Sequence, residues 1–212
     1  MKVYLLPGIA TDHHLFDRLD LSGLDVMKLD WPRFRRGTTL EEIAKDMAPQ
    51  VDRDEPHILV GVSMGGMVAQ ELALITNPVK VILISTWTGP QEWPRFVRFG
   101  AAIGVQRAIT AASMKASWPV KRFLTGQDGR TAQLLRDMAL REGPEQIRRG
   151  LSAIFRWPGS RWKGPVVRIH GDKDRLMPIQ QLKPDHVVRG GAHAMVYCHA
   201  NAVSAALRAA LT

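Results

Sequence analysis

The chain has 212 residues, 45% hydrophobic and 23% charged, with one cysteine (Cys198) and a net charge of +9. That balance fits one domain with a modest insertion, and it excludes a disordered chain and an internal disulfide. The basic excess is local: Thr88 to Pro165 holds 14 Lys and Arg against 5 Asp and Glu, and the remainder is 15 against 15. With no zinc-finger spacing, no aromatic RNA-binding strand and no basic tail, no nucleic-acid partner is expected.

In chain order, short apolar runs rich in β-branched residues occur at Val3 to Leu6, Leu24 to Leu29, His57 to Val62, Val79 to Ile84, Val166 to Ile169 and Asp185 to Val188. The third to fifth are almost continuously apolar, as strands buried on both faces require. Helical patterns separate them. Thr39 to Met47 opens with a capping-box pair, Thr39 and Glu42. Gly65 to Ile75 is stopped by Asn77-Pro78, and Asn201 to Leu211 is alanine-rich. This alternation predicts an α/β fold with a mostly parallel, doubly wound sheet. Residues 89–164 break the rhythm. They show only helical pieces (Phe96 to Ser113, Thr131 to Arg141, Glu145 to Phe155) interrupted by Gly and Pro. The expected organisation is a core of residues 1–88 and 165–212 with a helical cap over the carboxyl ends of the strands, where open α/β sheets hold ligands. The amino terminus lacks the apolar run and cleavage site of a secretory signal, and no segment approaches the ~20 apolar residues of a membrane span. A cytoplasmic chain without a membrane span is therefore expected.

Three short stretches carry chemistry. Gly61-Val62-Ser63-Met64-Gly65 follows a buried strand and opens a helix. Such a turn can project a nucleophilic serine, and its glycines let the chain pass close to its neighbours. His170-Gly171-Asp172-Lys173-Asp174 ends the fifth strand, where a carboxylate can orient an imidazole. Asp174, in the turn beyond the strand, is preferred to Asp172, which would stabilise the loop, and His170 reads as a strand-end residue. Gly190-Gly191-Ala192-His193 follows the sixth strand, its small residues allowing the loop to carry His193 to the serine. His199, His186, His13 and His14 are less well placed. No HExxH, Cys/His cluster or glycine-rich phosphate loop is present, so neither metal nor cofactor is expected.

The order Ser63, Asp174, His193 resembles that of the α/β-hydrolases. With Leu5-Leu6-Pro7-Gly8 and the three stretches above, the chain is similar in particular to small bacterial carboxylesterases of the pimeloyl-acyl-carrier-protein methyl ester esterase type. The resemblance spans nearly the whole chain. It implies an α/β-hydrolase core of about six strands, because the family's leading hairpin has no counterpart before Val3. It also implies a hydrolase that cleaves a carboxylic ester through an acyl-enzyme, with oxyanion donors at the N–H groups of Ile9 and Met64. The first turn reads Pro-Gly where His-Gly is commoner, which leaves backbone donors intact. Thioesterase, C–C hydrolase and perhydrolase chemistry would use the same three residues. A binding protein that captures ligand without turnover is the reading from outside enzymes. A dehalogenase would need an acid at position 63. Trp87, Trp93, Met114 and Trp118 are expected to line the pocket. The charge of the insertion, including Arg95, Arg98, Lys121, Arg122, Arg148 and Arg149, points to an anionic or acyl-carrier-bound substrate beside the simple small-molecule ester.

Overall fold

A run of six buried residues, His57 to Val62, sets the centre of the molecule. The computed structural model describes residues 1–126 and 129–211. Strands β1 (Lys2–Leu6), β2 (Asp25–Lys28), β3 (His57–Val62), β4 (Lys80–Ile84), β5 (Val166–Gly171) and β6 (His186–Val188) form one sheet in the order β2-β1-β3-β4-β5-β6. Every neighbouring pair is parallel, as expected of strands joined by crossovers. The chain runs outward from β1 to β2 and then returns past β1 to β3. The carboxyl ends of β1 and β3 therefore flank a topological switch point, the position where such sheets bind ligands.

Alternation along the strands divides the core in two. On one face, Tyr4, Leu6, Leu59, Val81 and Leu83 pack against α1 (Leu40–Met47) and α2 (Met64–Thr76). On the other, Val3, Leu5, Ile58, Val60 and Ile82 meet Leu15, Phe16 and the final helix. The Thr39–Glu42 capping box forms in both directions, at 3.1 Å from Glu42 N–H to Thr39 Oγ1 and 2.9 Å from Thr39 N–H to Glu42 Oε2. Asn77, left-handed at φ 50°, ends α2 just before Pro78.

Between β4 and β5 lies the helical insertion: α3 (Arg95–Ile103), α4 (Ala111–Ala116), α5 (Trp118–Thr125) and α6 (Gly129–Arg156). Its pieces differ from those expected. The single helix from Phe96 to Ser113 breaks at Gly104, whose φ of 68° closes α3. The two pieces flanking Gly143-Pro144 run on as α6, kinked where Gly143 adopts φ 80° and ψ 162°. Proline removes an N–H and crowds the preceding turn, so a kink falls there. Helix α5 and the short α7 (Met195–Cys198) carry no expectation from the sequence, and α8 (Ala200–Leu211) closes the described chain.

Candidate active site

The serine turn follows from three glycines. A Cβ on Gly65 would collide with the carbonyl oxygens of Leu6 and Pro7, one on Gly61 with the Gly65 carbonyl, and one on Gly66 with the Thr86 side chain. Helix α2 can therefore press against the ends of β1 and β4 only with hydrogen at these positions. The cost of the tight turn falls on Ser63, which sits at φ 53° and ψ −121°, a conformation worth about 1–3 kcal/mol of strain. Two buried contacts hold it: Ser63 N–H donates to Ile84 O at 3.0 Å, and Thr86 Oγ1 donates to Ser63 O at 2.6 Å.

His193 and Asp174 meet this serine. His193 Nε2 is 3.1 Å from Ser63 Oγ, and its Nδ1 is 2.8 Å from Asp174 Oδ2. The second carboxylate oxygen of Asp174 accepts from Leu176 N–H at 3.0 Å and Met177 N–H at 2.8 Å. This buried acid thus accepts three hydrogen bonds. Burial pushes the Asp174 carboxyl up. The His193 charge and hydrogen bond, the Met177 N–H and the nearby His170 outweigh it, and the pKa lies below the ordinary carboxylate value. Asp172 does something else: its Oδ1 accepts from Gly190 N–H at 2.7 Å and so ties the acid loop to the histidine loop. A Cβ on Gly171 would strike the backbone of Gly191, which explains the small residues in both loops.

His170 is buried in β5, its Nε2 2.8 Å from Met177 O and 3.5 Å from Asp174 Oδ2. Burial is the leading cause that holds its pKa below the usual histidine value, the Asp174 charge opposing it. A neutral ring donating to Met177 O pins the same turn that presents the Leu176 and Met177 N–H groups to Asp174. His186 begins β6, His199 caps α7, and His13 and His14 lie in a 3₁₀ turn. None of the four lines the cavity beside Ser63.

That cavity has a volume of about 520 Å³ and opens between the strand ends and the insertion. Met114, Trp118, Leu135, Ala139, Ile147 and Leu151 give it an apolar wall, and among the described residues no Lys, Arg, Asp or Glu lines it. Trp87 and Trp93 are not in it. They pack tilted together at 6.1 Å inside the core on the α1–α2 face, where Gln70 Nε2 bonds Trp87 O at 3.1 Å. The chain leaving β4 turns to that face, which sequence proximity to the strand end does not show. The α6 residues that line it carry no motif; their only sequence signal is spacing, Leu135 and Ala139, and again Ile147 and Leu151, repeating four residues apart on either side of the kink.

Ile9 lines the cavity in the turn after β1. Gly8 packs against the serine, a Cβ there standing 3.5 Å from Ser63 Cβ. Met64 is the first residue of α2, so its N–H has no partner within the helix. Among the described residues neither the Ile9 nor the Met64 N–H meets a backbone acceptor. Both are thus available to an oxyanion.

The cap is tied to both loops of the site: Ala194 N–H donates to Thr125 O at 3.1 Å, and Arg175 Nη1 to Phe123 O at 3.1 Å. Several cap arginines serve the fold. Arg98 bonds Trp93 O and Gln91 O, and Arg149 bonds Phe34 O and Glu145. Arg148 approaches Glu145 only to 4.0 Å. Lys121 has a side chain outside the described residues. Donor atoms of Asp12, His13 and His14 lie within 4.8 Å of one another. They are taken up in contacts with Arg141 and Asp30 and between Asp12 and His14, and give no case for a metal. Among the described residues no helix is long and apolar enough to cross a membrane.

Residues 3–206 match the model of the alpha/beta hydrolase family. The chain belongs to that family, and hydrolysis is the class of activity it defines. No significant match occurs among curated protein sequences. Among solved structures, a thermophilic esterase from Thermogutta terrifontis with malate bound superposes with a TM-score of 0.78 at 20% identity, covering 100% of this chain and 89% of its own. MenH from S. aureus gives 0.77 at 15% identity, covering 99% and 92%. An esterase from Exiguobacterium antarcticum gives 0.74 at 16%, covering 99% and 91%. At these identities the likeness is one of fold.

Proposed function

We propose that this protein is a serine hydrolase that cleaves a carboxylic ester with a neutral, carbon-rich acyl group. The observation that carries the reading is the continuous relay from Ser63 Oγ through His193 to a fully buried Asp174 held by two backbone N–H groups, opening on an apolar cavity. Neutral His193 takes the Ser63 proton at Nε2 as Oγ attacks the acyl carbonyl carbon, and Asp174 stabilises the imidazolium. The Ile9 and Met64 N–H groups hold the oxyanion, each donor lowering the barrier by roughly 3–4 kcal/mol. His193 returns the proton to the departing alkoxide. Water then attacks the acyl-enzyme, giving its proton to the same nitrogen; His193 passes that proton to Ser63 Oγ as the Oγ–acyl bond breaks, and the carboxylic acid leaves.

A thioester would be cleaved by the same steps, with a thiol departing. The uncharged wall supports a neutral acyl group over the anionic one suggested by the charge of the insertion. A carrier would have to act at the outer surface of the cap. A fluorophosphonate probe is expected to label Ser63, and a p-nitrophenyl ester series to show repeated turnover. Ser63→Ala should lose about 10⁴–10⁶ in kcat. A folded Ser63→Ala protein retaining more than a tenth of wild-type turnover would overturn the assignment. A single acylation without turnover would instead mark a ligand-capturing protein.

A further inference from the structure

From Trp93 to Gly126 the chain contains no acidic residue, while Arg95, Arg98, Arg107, Lys115, Lys121 and Arg122 give six positive charges. The same stretch exposes large apolar side chains. Phe96, Phe99 and Ile103 on α3, Val105 just beyond it, and Val120 and Phe123 on α5 are all between 47% and 66% exposed. Helix geometry explains the arrangement. Val97 and Ala101 anchor α3 to the core, so residues 96, 99 and 103 share the opposite side. In α5, Trp118 and Thr125 face the cavity, which leaves Val120 and Phe123 outward. The two helices meet the cavity through neighbouring residues. Val105, against which Gly100 of α3 packs, lines it on one side and Trp118 on the other.

We propose that this acid-free face of the cap docks on an anionic lipid surface and that acyl substrates enter the apolar cavity from it. Phenylalanines flanked by arginine and lysine match the apolar and charged layers of a lipid interface. A second copy of the chain would bring like charges together. An acidic protein would be met by the cations alone and would leave the aromatic strip unexplained. The docking stands on surface chemistry; only the delivery of substrate rests on the proposed hydrolase activity.

The test is co-sedimentation of the intact protein with vesicles of phosphatidylcholine alone and of phosphatidylcholine mixed equally with phosphatidylglycerol, with no turnover needed. Binding to the mixed vesicles is expected to exceed binding to the neutral ones by at least about tenfold at low salt, each cation near the surface adding roughly fivefold. It should weaken at high salt. Phe96→Ser with Phe99→Ser should reduce it several-fold, and Arg95→Glu with Arg107→Glu by about 25-fold or more, while hydrolysis of a soluble acetyl ester is unchanged. Absence of binding to both vesicles, equal binding to both, unchanged binding by either variant, or self-association that Phe96→Ser with Phe99→Ser abolishes would overturn the proposal.

Discussion

Replacing Asp174 by Asn tests the relay at a single atom. The two N–H groups of Leu176 and Met177 fix one oxygen of the side chain at 3.0 and 2.8 Å. An amide at this position must keep its oxygen there, because its NH₂ cannot accept. The NH₂ then replaces Oδ2 and faces His193 Nδ1, now 2.8 Å from that oxygen. An N–H donor at that point makes Nδ1 an acceptor, so the proton of the neutral ring moves to Nε2. The nitrogen facing Ser63 can then no longer take a proton. A wrong tautomer of this kind costs on the order of 10⁴ in kcat, or about 5 kcal/mol of barrier. Asp172→Asn gives the contrast. It perturbs one exposed bond to Gly190 N–H, worth about 0.5–1.5 kcal/mol of stability, and should leave kcat within a few-fold. Turnover of a p-nitrophenyl ester together with a thermal melt of each variant makes the comparison. If Asp172→Asn is the more damaging change, or if a folded Asp174→Asn keeps a tenth of the activity, the reasoning fails.

Three further outcomes are expected. Gly65→Ala forces a Cβ onto the Leu6 and Pro7 carbonyls and should cost about 2–3 kcal/mol or more in denaturant unfolding; a loss below about 0.5 kcal/mol would contradict the packing argument. Ala139→Trp fills the cavity wall and should cut kcat/KM for a long-chain ester by about tenfold or more while sparing an acetyl ester; equal losses would place the acyl chain elsewhere. The folded-state pKa of His170 is lowered, chiefly by burial. Below about pH 6.5 the unfolded chain therefore binds a proton that the folded ring refuses, and stability falls as pH drops towards the folded value. His170→Gln removes that contribution, so the Tm gap between wild type and variant should narrow on acidification, and a constant gap would refute it.

The site was legible where local geometry dictates residue type. Gly61 is required by a contact within the turn itself, Gly65 and Gly66 by the close approach of the turn to the chain leaving β1 and β4, and the apolar runs of β3 and β4 by burial on both faces. Asp174 and His193 each follow a strand end, so their loops could be placed from the sequence alone. What was not legible depends on long-range packing. Trp87 and Trp93 follow β4 as closely as a pocket residue would, but the direction of the chain after Ser85 decides which face they join. In the cap, the helical pattern reads on through Gly104, whereas Gly143-Pro144 reads as a break. Yet Gly104 ends a helix and Gly143 only kinks one, because α6 spans both core clusters, with Met138 on one face and Ile154 on the other.

The two carbonyls that α5 lends to the core have a consequence for exchanging parts. Thr125 O seats the loop of His193 and Phe123 O the loop of Asp174, so the cap holds the relay as well as covering it. A chimera given a foreign cap of the same length would inherit a new specificity wall and lose both anchors at once. Its kcat would fall even for substrates too small to touch the cap. Grafting therefore has to carry residues 118–125 with the recipient's own two loops, and the unit of inheritance in this fold cuts across the boundary between cap and core.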